Sequence, residues 1–121
     1  MSKLGWAILT FVVLVVFSPT LFTYFSQDDW AFLSHVYKQP FLSVFRHYSE
    51  AFYRPIGQQL FFFLGSRLFG LEAQGFHLIG LGIHLLNVWL LGKVMNIWTH
   101  DRRVKYFLLI FYAVNPAHFV A

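Results

Sequence analysis

Two adjacent carboxylates, Asp28 and Asp29 in the stretch YFSQDDW, follow directly on about twenty uncharged residues in a chain that has only five acids in 121 residues. A carboxylate just outside an apolar span, facing a lipid-borne substrate, can act as general base on an acceptor hydroxyl. Successive helical residues diverge by about 100°, so only one of the pair faces any given site. The same residues also have a purely structural reading. Ser26 with Asp29 three positions on has the spacing of a capping box, and carboxylates near a helix N-terminus gain from its dipole. The spacing alone leaves both readings open.

Tyr53-Arg54-Pro55 is the second candidate. The planar donor fork of Arg54 suits a lipid phosphate, although an arginine here can equally be a plain interfacial residue, and Arg46 and Arg67 compete for the same role. His77 and His84 are seven apart, which puts them about 10 Å apart along one helix, too far to share a metal. Packing or hydrogen bonding between helices is the expected use of both. His118 follows Asn115-Pro116 in a proline-interrupted apolar segment, where freed backbone groups serve a cavity or a partner helix. No nucleophile triad, glycine-rich phosphate loop or zinc spacing is visible. A divalent metal would need oxygen ligands beyond the two aspartates, and the remaining acids have no such spacing.

The elements that must position these residues follow from composition. The chain is 58% hydrophobic, 21% aromatic and 12% charged, with sixteen Phe and no Cys. That is about half the charge of a soluble domain, and it predicts an all-α membrane protein of about three transmembrane helices, with amphipathic interfacial helices in the first external loop. The first span covers about residues 4–25, long enough for a hydrocarbon layer of roughly 30 Å. Its apolar core exceeds the roughly 7–15 residues of a signal peptide, and no small-x-small cleavage site follows, so a retained anchor is expected. An external loop of about 26–74 comes next. In it, PFLSVFRHYSEAFYRP places Phe41, Phe45, Tyr48 and Phe52 on one helical face, with Ser43, Arg46, His47, Glu50 and Arg54 opposite, and PIGQQLFFFLGSRLFGL reads as a helix at the interface.

A second span is expected at about 75–92, where Gly80, His77, His84, Asn87 and Leu91 share one narrow face. The segment of about 93–105 carries Lys93, Arg102, Arg103 and Lys105. The positive-inside rule makes it cytoplasmic together with Lys3, and leaves the Asp28/Asp29 loop external. A third span of about 106–121 reaches Ala121 after some sixteen residues, near 24 Å of helix. The chain is therefore expected to be the N-terminal part of a longer protein. The net charge of +4 is scattered and has no soluble face to display it, so membrane topology explains it better than nucleic acid.

The order of these motifs, Asp28-Asp29-Trp30, Tyr53-Arg54-Pro55-Ile56, Leu68-Phe69-Gly70, Gly75-Phe76-His77-Leu78, His84-Leu85-Leu86-Asn87 and Asn115-Pro116-Ala117-His118, is similar to the N-terminal part of GT-C-fold membrane glycosyltransferases. The nearest branch is the protein O-mannosyltransferase-like enzymes, including the transmembrane and tetratricopeptide-repeat mannosyltransferases. The resemblance covers nearly all of the chain, which would be about the first quarter of a family member. It implies a polyprenyl-phosphate sugar as donor, a protein, lipid or glycan acceptor on the external or luminal side, and a multi-pass protein of a bacterial inner or plasma membrane. It also implies a catalytic or acceptor-orienting acid in the first external loop, which falls on Asp28 or Asp29. Tyr53, Arg54 and His118 are the matching substrate-binding candidates. Members often carry His where Asn115 stands here, whereas His118 matches.

Two other classes compete. A small non-catalytic membrane subunit would dock its His77/His84/Asn87 face on a larger partner, and a transporter fragment would use its intramembrane histidines as a proton relay. On the glycosyltransferase reading, the 121-residue portion alone is expected to be inactive.

Overall fold

The computed structural model describes residues 1–47 and 53–116, and among these every regular element is helical. The chain divides into two compact units, Met1–Thr20 with Gly80–Ala121, and Leu21–Ile79.

Helix α1 (Lys3–Phe17) begins at Ser2, whose side-chain oxygen accepts the Gly5 N–H at 3.0 Å and satisfies one of the donors that a helix start leaves open. It gives way at Ser18-Pro19, because proline has no N–H to offer the Val15 carbonyl four residues back. The Ser18 hydroxyl donates to that carbonyl instead, at 2.9 Å. The chain then tightens into a 3₁₀ turn, Ser18–Phe22, in which the Thr20 hydroxyl donates to the Phe17 carbonyl at 2.6 Å. Together they give 20 continuous helical residues, Lys3–Phe22, slightly shorter than the expected span because residues 23–26 leave the helix.

The Leu21–Ile79 unit holds helix α2 (Gln27–Val36), a 3₁₀ turn Phe41–Phe45, a wide π-helical turn Pro55–Leu60 running into helix α3 (Phe61–Phe69), and the first residues of helix α4 (Ala73–Trp98). Its core is Phe25, Leu33, Val36, Val44, Phe62, Phe63, Ala73 and Phe76. Phe25 meets Phe76 edge on with centroids 5.1 Å apart, an arrangement favoured by ring quadrupoles. Gly65 of α3 lies directly under the Phe76 ring, and Gly75 of α4 under Phe69, so that a Cβ at either glycine would collide with an aromatic side chain. Gly70, at φ +61, makes the left-handed turn between the two helices. Two of the motifs read from the sequence, Leu68-Phe69-Gly70 and Gly75-Phe76, are therefore the interlock of α3 with α4.

The amphipathic helix expected over Phe41, Phe45, Tyr48 and Phe52 does not form in the described part. The 3₁₀ turn stops at Phe45, and Arg46 is extended at φ −78, ψ 141. Ser43 and Val44 are buried, while Phe41 and Phe45 stay half exposed, which inverts the predicted faces. A tertiary contact holds this course: the Gln59 side-chain amide donates to the Arg46 carbonyl at 2.9 Å, tying the extended backbone to the turn Pro55–Leu60. Tyr48 and Phe52, with Glu50, lie outside the described residues.

In the other unit, α1 packs with the later part of α4 and with helix α5 (Arg102–Val114). Leu9, Val13 and Phe17 recur every fourth residue on α1 and meet Leu81 and Val88 of α4 and Leu109 and Ala113 of α5. Trp6 lies across Gly92, where a Cβ would stand 2.6 Å from the indole. Helix α4 is 26 residues long, so the expected loop of 93–105 shrinks to residues 99–101. Helix α5 has 13 residues, about 20 Å, and ends at Asn115 because the residue before a proline is pushed out of the helical region, here to φ −71, ψ 119.

Two helices, Lys3–Phe22 and Ala73–Trp98, are long and apolar enough to cross a membrane. The predicted third span does not reach that length within the described residues. Only 17% and 22% of the apolar windows of the two long helices are buried, whereas the core helix of a soluble protein would be mostly covered.

Candidate functional site

The chain from Thr23 to Ser26 has no regular structure and enters α2 at Ser26, whose backbone is extended. The Ser26 hydroxyl accepts the Asp29 N–H at 3.4 Å, while Asp29 Oδ2 accepts from both the Ser26 N–H, at 2.8 Å, and the Ser26 hydroxyl, at 2.9 Å. This is the reciprocal capping box, one of the two readings of the spacing, and it occupies Asp29. Asp28, one residue earlier in the same first turn, is exposed and makes no hydrogen bond or ion pair among the described residues. The pair is thus divided: one carboxylate holds the helix start, and its neighbour points elsewhere with its oxygens available. Phe25 and Trp30, with ring centroids 5.1 Å apart and edge on, anchor the turn to the core on its apolar side.

Tyr53 and Arg54 stand just before the π-helical turn. The Tyr53 hydroxyl donates to the Phe45 carbonyl at 3.1 Å, and its ring stacks on His47 with centroids 4.3 Å apart. The Arg54 carbonyl accepts both the Gln58 and Gln59 N–H groups, at 3.1 and 3.2 Å, which sets the width of the turn, and its side chain lies on the exposed face. Among the three competing arginines, Arg67 is committed: its guanidinium donates to the Gln39 carbonyl at 2.8 Å and lies over the Phe63 ring at 5.2 Å. Arg46 is exposed and serves through its carbonyl. Among the described residues, no hydrogen bond or ion pair joins Asp28 or Asp29 to Tyr53 or Arg54. What brings them into one unit is the packing of α2 on the π-helical turn and on α3.

The histidines sit apart from this region in role. His84 is buried, and its Nε2 lies 2.9 Å from the Ala113 carbonyl. The carbonyl can only accept, so Nε2 carries the hydrogen. Ala113 belongs to the last turn of α5, whose carbonyls have no partner within the helix, and His84 serves as that partner. Phe17 meets the imidazole edge on at 5.4 Å, and Tyr112 stacks on it at 5.8 Å. His77 lies 3.2 Å from the Thr23 hydroxyl. Both therefore have the packing and hydrogen-bonding use read from their spacing. His118 lies outside the described residues. Among the described residues, no three His, Asp or Glu side chains come together to hold a metal.

The sequence reading missed two features. Glu72 and Gln74 face Thr23 and Tyr24 across an open cleft of about 270 Å³ in the Leu21–Ile79 unit, a polar concavity made by segments some fifty residues apart. Gln59, within the stretch read as an interfacial helix, is a buried clamp that ties the turn beginning at Arg54 to the Arg46 backbone. No local pattern marks either one, since each depends on a contact between distant segments. No protein-family model, curated protein or solved structure matches this chain.

Proposed function

We propose that this chain is the N-terminal, membrane-embedded part of a polytopic glycosyltransferase that moves a sugar from a polyprenyl-phosphate donor to a hydroxyl acceptor, with Asp28 as the base. One observation carries the assignment: of two adjacent acids following a membrane-length apolar helix, one is consumed by the capping box and the other is exposed without a partner among the described residues. In the reaction, the acceptor O–H gives its proton to the Asp28 carboxylate as its oxygen bonds to the anomeric carbon. The bond from that carbon to the phosphate oxygen breaks on the opposite face, and its electron pair leaves with the lipid phosphate. The product has inverted configuration. Because lipid phosphate is a good leaving group, a base and a cation suffice, and Arg54 is the cation whose donor fork suits it. Tyr53 shapes the loop through Phe45 and His47, and the Glu72/Gln74 cleft offers a carboxylate and an amide to sugar or acceptor hydroxyls.

The subunit reading needs a free His77/His84/Asn87 face. His84 is already spent on Ala113 and His77 is within hydrogen-bond distance of Thr23, so Asn87 alone of the three is exposed, and the catalytic reading is preferred.

The test is transfer by the full-length protein in proteoliposomes, using a panel of radiolabelled polyprenyl-phosphate hexoses with membrane extract as acceptor. Asp28→Asn is expected to lower transfer by about 10²–10⁴-fold, the usual share of a general base. Wild-type transfer by Asp28→Asn overturns the base assignment, and transfer from none of the donors by the wild type overturns the reading itself.

A further inference from the structure

The unit made of Met1–Thr20 and Gly80–Ala121 carries a feature that the glycosyltransfer chemistry does not use. Residues 93–105 hold four cations, Lys93, Arg102, Arg103 and Lys105, against one carboxylate, Asp101. Asp101 is committed as the cap of α5, where it accepts the Arg103 N–H at 2.8 Å. Lys105 donates to Asn96 at 2.6 Å, which fastens the first turn of α5 to the last turns of α4 and holds the basic residues beside the end of the apolar helix. Lys93 lies over the Trp89 ring at 5.2 Å. The side chains of Arg102 and Arg103 are exposed and have no hydrogen bond or ion pair among the described residues. Their charge is also misplaced for helix stability, since cations in a first turn oppose the helix dipole. Beside them, Trp98 and Ile97 are 85% and 78% exposed at the end of α4.

Exposed cations, a naked indole and an aliphatic side chain where a membrane-length helix ends match the layered chemistry of a bilayer surface. Phosphates lie outermost, the polar interface that indole prefers lies beneath, and the acyl region is deepest. We propose that Arg102 and Arg103, with Trp98 and Ile97 inserted beside them, form a docking surface for the phosphate headgroups of anionic membrane lipids. This rests on the membrane-embedded reading of α4, and not on the glycosyltransfer reaction.

The test measures lipid selectivity by electron spin resonance. The full chain is reconstituted in phosphatidylcholine bilayers carrying spin-labelled phosphatidylglycerol or spin-labelled phosphatidylcholine, and the motionally restricted fraction of each is compared. The surface attraction of a basic residue at low salt corresponds to about fivefold per arginine. The wild type is therefore expected to prefer phosphatidylglycerol several-fold, with the preference collapsing in 1 M salt and in the Arg102→Gln/Arg103→Gln variant. A Lys38→Asn/Arg46→Gln variant, which removes the same charge from the Leu21–Ile79 unit, is expected to keep it. Equal restriction of both lipids by the wild type overturns the docking surface while leaving the embedded helix intact. Retained preference in Arg102→Gln/Arg103→Gln overturns the residue assignment. No restricted component for either lipid overturns the membrane reading, and the docking surface with it.

Discussion

Replacing each aspartate separately by alanine separates two roles that the sequence presents as a single acidic pair. Asp29→Ala removes an oxygen that accepts two hydrogen bonds, from the Ser26 N–H and the Ser26 hydroxyl. Loss of a cap costs about 1 kcal/mol, and the lost interaction of the carboxylate with the helix dipole adds about 0.5 kcal/mol. The sum, about 1.5 kcal/mol, corresponds to roughly tenfold more frequent opening of the first turn of α2. Asp28→Ala removes no hydrogen bond found among the described residues and loses only the dipole share, about 0.5 kcal/mol, for roughly twofold. The assay is amide hydrogen exchange with mass spectrometry on the reconstituted chain, following residues 27–32 with peptides of α4 as the internal reference. Equal acceleration by the two variants, or a larger effect of Asp28→Ala, refutes the division of roles. The same division has a kinetic counterpart: Asp29→Asn keeps a side-chain oxygen for Ser26 and is expected to transfer sugar within a few-fold of wild type, whereas Asp28→Asn is not.

Two further substitutions probe the packing around α4. His84→Leu strands the Ala113 carbonyl in an apolar setting and is expected to cost about 1–3 kcal/mol, read as a lowered midpoint of thermal unfolding in detergent, with His84→Gln recovering part of it. An unchanged midpoint would rule out the hydrogen bond as a structural tie. Gly92→Leu drives a side chain into the Trp6 indole and is expected to destabilise by about 1–3 kcal/mol; combining it with Trp6→Ala should cost less than the sum of the two single changes, and strict additivity would show that α1 does not cross α4 at this point.

Residue pattern alone determined the helical class and the two long apolar helices, and it offered the capping box at Ser26 as one of two readings, because each follows from local rules: an uninterrupted apolar run, a polar cap and a carboxylate three residues on. Pattern also led to the expectation that His77 and His84 serve hydrogen bonding, since a seven-residue separation along a helix forbids a shared metal site. Tertiary contacts decided the rest. The sequence shows Phe41 and Phe45 on a helical face, but the fold leaves Arg46 extended, with its carbonyl bonded to the buried Gln59 amide. It shows Leu68-Phe69-Gly70 and Gly75-Phe76 as motifs, but only the fold shows them interlocked, with Gly75 beneath the Phe69 ring and Gly65 beneath the Phe76 ring. It shows Arg46, Arg54 and Arg67 as equivalent cations, but Arg67 is drawn onto the Gln39 carbonyl and the Phe63 ring. The physical reason is common to all three. Helix formation and capping are settled within four residues of chain, whereas the partner of a long polar side chain, and the ring that fits over a glycine, come from residues that only folding brings near.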